Sequence, residues 1–93
     1  MTVYRVRRTS LTEADAEALD REFATLAVTA GRNLTLDLAA VDFLTSTALT
    51  RFVRLDRALK TRGGRLTLVN VRPAVREVFA VTGLDRLLDV RAA

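Results

Sequence analysis

Cysteine and histidine are both absent from the 93 residues. Without cysteine there is no disulfide framework, no thiolate nucleophile and no thiolate metal site. Without histidine the commonest general base and the commonest metal ligand are missing as well. Tryptophan is absent, and there are only one tyrosine, four phenylalanines and one proline. No Walker spacing occurs anywhere, so a phosphate-binding loop of that kind is excluded. Met1-Thr2-Val3-Tyr4-Arg5 has no apolar signal core, and no apolar run approaches the ~20 residues that span a bilayer. These absences lead to the expectation of a cytosolic chain with no membrane insertion, no cofactor and no metal.

What remains is ordinary for a globular chain, with 49% apolar and 28% charged residues. Residues 1–93 provide enough chain for one small domain with one core. The formal charge is +4, which raises nucleic-acid binding as a question. The spacing of the arginines answers against it. Most alternate with acidic or apolar residues, and Arg51, Arg54, Arg57 and Lys60 step by three on a helix. Each such step drifts by about 60°, which spreads them over a broad outer face instead of forming one stripe.

The order of elements follows from periodicity. Thr2 to Arg7 reads as one opening strand. Ser10 and Glu13 have the spacing of a capping box, and Leu19, Phe23, Leu26 and Ala30 then mark one face of a helix that Gly31 ends. Leu34, Leu36 and Leu38 alternate with Thr35 and Asp37 on a second strand. A second helix is predicted from near Thr45 to about Arg62, with Leu49, Phe52, Val53 and Leu59 inward and Gly63-Gly64 as its stop. Residues 65–71 form a strand, and Pro73 opens a third helix whose Val75, Val78 and Phe79 pack inward before Gly83. Leu84 to Val90 reads as a short helical turn and a last edge strand. This alternation predicts an α/β fold: a mostly parallel or mixed sheet of about four strands, backed by three or four helices.

The chemistry concentrates in one run, Thr45-Ser46-Thr47-Ala48-Leu49, three hydroxyls opening an amphipathic helix. Such a position suits capping, because the first turn has unpaired N–H groups. It also suits a phosphate, which the same groups and the helix dipole favour, though on the local sequence alone capping is the stronger reading. Asp37 has no second acid nearby and reads as a hydrogen-bonding residue at a strand end, not as a metal or catalytic carboxylate. Arg62-Gly63-Gly64-Arg65 reads as a helix stop and turn. Met1, Tyr4 and the phenylalanines read as strand or core residues. With no base visible to activate the hydroxyls, enzymatic catalysis is not expected.

Six features in order carry a family resemblance: Leu36-Asp37-Leu38, Val41-x-Phe43, Thr45-Ser46-Thr47-Ala48-Leu49, Gly64-x-Leu66-x-Leu68, Pro73-Ala74-Val75 and Thr82-Gly83-Leu84. Together they resemble the STAS domain, the fold of bacterial anti-sigma factor antagonists. In that family a serine of an Asp-Ser-Ser-Gly motif is phosphorylated by an anti-sigma factor that is a serine kinase, and the unphosphorylated form binds that partner. The resemblance implies Thr47 as phosphoacceptor and Thr45, Ser46, Thr47, Ala48, Leu49 and Arg51 as partner-binding residues. Thr45 stands where the family has Asp and Ala48 where it has Gly, which leaves Thr45 to cap the helix. Two alternatives keep the fold: a STAS subunit docking on the ATPase of an ABC-type lipid transporter, or an unmodified scaffold. The family opens with two strands, whereas the first 31 residues here offer room for one, and the family's last helix is not expected.

Overall fold

The computed structural model describes residues 2–92. Strand β1 (Thr2–Arg5) is followed by a two-residue strand β2 (Ser10–Leu11), a 3-10 turn (Glu13–Asp15) and helix α1 (Ala16–Thr29). Strand β3 (Asn33–Asp37), a short β4 (Phe43–Leu44) and helix α2 (Ser46–Lys60) come next. Strand β5 (Arg65–Val71), helix α3 (Pro73–Thr82), a 3-10 turn (Leu84–Arg86) and β6 (Asp89–Ala92) complete the order. The main sheet runs β1-β3-β5-β6, and every pairing in it is parallel. A mixed sheet was one expectation. It is excluded because α1, α2 and α3 each return the chain to the same edge before the next strand starts.

Register sets the two faces of the sheet. Leu34 pairs with Leu66, and Leu36 with Leu68, so four leucines with at most 1% exposure line one face. The three helices cover that face. On the other face Val3, Thr35 and Thr67 stand in register and stay partly or largely exposed. Phe23 of α1, Phe52 of α2 and Phe79 of α3 form a row inside, with ring centroids 5.5 and 6.0 Å apart. Each helix is thus locked to the next by an aromatic ring as well as by buried area. In α2, Leu55 and Asp56 are buried and Val53 only half so, which corrects the expected face by one position. The buried Asp56 is met by Lys60 one turn later at 2.9 Å.

Two N-terminal expectations are corrected. The chain forms two strands before α1, not one, because β2 pairs in parallel with β4 through Ser10–Phe43 and Leu11–Leu44. Ser10 therefore belongs to a ladder, and the capping pair shifts two residues along. The Thr12 N–H donates to Asp15 Oδ2 at 2.9 Å, and the Asp15 N–H returns to the Thr12 carbonyl at 3.0 Å.

The C-terminal segment forms the expected turn and edge strand. Gly83 has φ 77°, the left-handed value that stops α3. At Gly64 a Cβ would lie 1.6 Å from the backbone oxygen of Arg32, so only glycine permits the close approach of the two segments there. Among the described residues no helix is long and apolar enough to cross a membrane, and no three acidic side chains gather as a metal site.

Candidate functional site: the start of helix α2

The link from β3 to α2 is tied down at nearly every residue. Asp37, buried at the end of β3, accepts the Ala39 N–H on Oδ1 at 2.9 Å and faces Arg5 at 3.7 Å. This is the local turn an Asp side chain makes with an amide two residues on. Its carboxyl is held below the ordinary carboxylate range first by that amide, then by the Asn70 side chain and Arg5, against the opposing cost of burial. The Ala39 carbonyl accepts from Arg72 Nε at 2.6 Å, and the Val41 N–H returns to Leu38 at 3.0 Å. Asp42 donates its N–H to Thr9 and Thr45 donates its own to Leu11, at 2.9 and 3.0 Å. The hydroxyl run is therefore presented on a rigid platform.

Thr45 is the N-cap residue of α2 by backbone conformation (φ −111°, ψ 174°), and its carbonyl accepts the Ala48 N–H at 3.0 Å. Its side chain does not cap. The hydroxyl is buried and makes no hydrogen bond, which corrects the expectation that Thr45 Oγ1 would bind the helix amides. The first N–H groups of α2 thus have no side-chain acceptor, and they lie at the positive end of the dipole.

Ser46 is exposed and Thr47 half-exposed, while Ala48 and Leu49 face the core at 0% and 6% exposure. The Thr47 hydroxyl donates to Glu13 Oε1 at 2.9 Å, reaching across to the 3-10 turn before α1. Glu13 is held below its ordinary range first by its own backbone amide, then by the Thr47 and Thr45 hydroxyls. The Thr45 hydroxyl lies near that carboxylate without reaching hydrogen-bond geometry.

Arg51, one turn into α2, is committed to neighbours. Its Nη1 donates to the Thr47 carbonyl at 3.1 Å, and its Nε stands 3.0 Å from Asp20 Oδ1 of α1. Glu13, Thr47, Arg51 and Asp20 therefore form one polar chain across the α1–α2 seam.

Two residues at this site escaped the sequence. Glu13 was assigned to a capping box, and nothing in the local pattern points to a partner 34 residues away. Phe43 is a strand residue, one of the two expected roles, but its 55% exposure at this site, against the buried Phe23, Phe52 and Phe79, is new. Its one available signal was alternation with Leu44, which is buried.

The assembled site is a surface of two hydroxyls, one carboxylate and one exposed ring, over a helix start that the Thr45 side chain does not cap. It can dock a protein or carry a phosphate.

A sequence model of the STAS domain matches residues 1–93. The chain is 33% identical over 77 residues to BtrV of Bordetella bronchiseptica, named as a candidate anti-sigma factor antagonist, covering 83% of this chain and 66% of that protein. It is 34% identical over 62 residues to the anti-sigma-B factor antagonist of Bacillus subtilis, covering 67% of this chain and 57% of that one. It therefore spans 66% and 57% of the lengths of these two curated relatives.

Among solved structures, a STAS-domain anti-sigma factor antagonist protein from Planctomyces limnophilus superposes with TM-score 0.82 at 25% identity, covering 98% of this chain and 81% of its own. A candidate antagonist from Thermotoga maritima gives TM-score 0.82 at 22% identity, with 98% and 80% covered. A sulfate transporter family protein from Wolinella succinogenes shares the fold at TM-score 0.79 and 16% identity, with 97% and 75% covered.

Proposed function

The chain belongs to the STAS domain family, and on that premise we propose that it is an anti-sigma factor antagonist, a cytoplasmic binding module without catalytic activity. Its partner is an anti-sigma factor that is also a serine/threonine kinase. The docking face is the start of α2, with Ser46 and Thr47 at its centre and the exposed ring of Phe43 beside them. Thr45, Ala48 and Leu49 shape this face from beneath, and Arg51 fixes the first turn through the Thr47 carbonyl.

The observation that carries the reading is the first turn of α2, uncapped by the Thr45 side chain, beneath the exposed Ser46 and the half-exposed Thr47. An ordinary structural cap would have used the Thr45 side chain on those amides. Here the amides are left to favour an anion.

Thr47 is the phosphoacceptor. The kinase transfers the γ-phosphoryl group of ATP: a bond forms between Thr47 Oγ1 and phosphorus, and the bond from phosphorus to the bridging oxygen of ADP breaks. The hydroxyl proton leaves to a base of the kinase. The modified residue carries about −1.5 to −2 charge, and repulsion with desolvation ends docking.

The test is incubation with the cognate anti-sigma kinase and ATP, followed by mapping of phosphate by mass spectrometry. Phosphate is expected on Thr47 and lost in Thr47→Ala. Unchanged stoichiometry in that variant refutes the site. A Thr47→Glu protein that binds the kinase as tightly as the unaltered chain refutes the switch. Stable association with a transporter ATPase, with no phosphate on Thr47, would replace this reading by the transporter-subunit one.

A further inference from the structure

We propose that Glu13 and Thr47 form a carboxylate latch that the unmodified protein closes and that a phosphate on Thr47 forces open. The inference rests on the reading of Thr47 as phosphoacceptor but concerns what modification does to this chain.

The geometry is direct. Thr47 Oγ1 donates to Glu13 Oε1 at 2.9 Å, so the acceptor hydroxyl spends its only proton on the carboxylate. Both groups lie on the exposed rim of the α1–α2 seam, where the contact joins the 3-10 turn of residues 13–15 to the first turn of α2. Phosphorylation removes that proton, so the bond has no donor. It also sets a dianion at contact distance from a carboxylate, which replaces an attraction by a repulsion.

The phosphate has a favourable place to go. The Thr45 side chain does not cap the first amides of α2, and the carboxylate of Glu13 is held at the Thr47 hydroxyl of that same turn. A dianion on Thr47 Oγ1 that turns toward those amides leaves the Glu13 carboxylate without its donor and facing a like charge. The rest of the seam is tied independently. Asp15 holds Thr12 at 2.9 Å, Leu11 holds the Thr45 N–H at 3.0 Å, and Arg51 faces Asp20 at 3.0 Å. Modification therefore releases the edge of the turn and leaves the fold in place. A partner then meets a changed shape at residues 12–16 as well as a changed charge at Thr47. The acidic group that the local Thr45-Ser46-Thr47 sequence lacks is supplied in space by Glu13.

A double-mutant cycle tests this without a kinase. Amide hydrogen exchange is followed at residues 12–16 in the unaltered chain, Thr47→Glu, Glu13→Gln and the double variant. Thr47→Glu is expected to speed exchange there by about fivefold, the size of one like-charge contact near water. On the Glu13→Gln background that acceleration should vanish, because the amide keeps an acceptor oxygen without the charge. Thr47→Val, which removes only the donor, should speed exchange less than Thr47→Glu. Equal acceleration on both backgrounds, or none in Thr47→Glu, overturns the latch. Global unfolding measured in parallel identifies any variant whose exchange reflects lost folding, and the Thr47→Val comparison then decides the question. Failure of the kinase assay would instead remove Thr47 as a phosphoacceptor and leave the cycle's outcome standing.

Discussion

Glu13 Oε1 and Thr47 Oγ1 stand 2.9 Å apart, although 34 residues separate them along the chain. The contact makes the start of α2 a two-element site. One side chain comes from the turn before α1, and the hydroxyl comes from the first turn of α2.

The contact has a defined pH dependence. Glu13 titrates below its ordinary range in the folded chain because its own amide and the Thr47 hydroxyl favour the charged form. A group with a depressed folded pKa contributes fully above its unfolded value, and the contribution is lost as pH falls through the folded value. The latch should therefore be closed at neutral pH and open only under acid below the usual carboxylate range. The carboxyl carbon shift of Glu13, followed by NMR, should show this low midpoint, and Thr47→Val should move it upward.

Thr45→Val should be neutral or stabilising, within about 1 kcal/mol, because the hydroxyl it removes is buried without a partner. The backbone capping by the Thr45 carbonyl survives the change. A loss of about 0.5–2 kcal/mol in urea unfolding would instead show that the side chain caps in solution.

Asp37→Ala should cost about 1.5–3 kcal/mol in chemical denaturation, the size of a hydrogen bond to a charged group. The loss follows from the bond to the Ala39 N–H. The folded Asp37 also titrates low, chiefly through that amide. Its stabilisation should persist above the ordinary Asp range and disappear as pH falls through the lower folded value. The variant's unfolding profile should accordingly converge on that of the unaltered chain in strong acid.

Phe43→Ser should leave stability within about 0.5 kcal/mol, since surface substitutions away from special contacts change little. The ring is 55% exposed and buries little area in the free protein. Binding to the proposed anti-sigma partner, measured by calorimetry, should weaken about tenfold or more through loss of the exposed ring.

Gly64→Ala should lower stability by about 2 kcal/mol or more, because two backbone segments must part to admit a methyl group. The added Cβ would lie 1.6 Å from the Arg32 oxygen. Thermal unfolding should reveal the loss, and the site at α2 should still bind at low temperature.

Much of the fold was legible because burial leaves a period in the sequence. Leu19, Phe23, Leu26 and Ala30 recur at helical spacing and are all buried, and Leu34, Leu36, Leu66 and Leu68 alternate on one sheet face. Pro73 and Gly83 marked both ends of α3 through backbone constraints that act locally. The short strands were not legible. β2 and β4 have two residues each, too few for a period, and exist because they pair with one another. The Ser10–Glu13 spacing then misled, since the ladder claims Ser10 and the turn is closed by Thr12 and Asp15.

For the site, sequence alone determined that three hydroxyls open α2 and that neither cysteine nor histidine chemistry is available. Only the tertiary structure decided which hydroxyl does what: Thr45 turns inward unpaired, Ser46 faces solvent, and Thr47 binds Glu13. The physical reason is that capping and burial are encoded within a few residues, as propensity and period. A hydrogen bond between two exposed side chains from distant segments has no such local trace. It is fixed by how α1 and α2 pack through Phe23 and Phe52, which brings the turn of Glu13 to the first turn of α2.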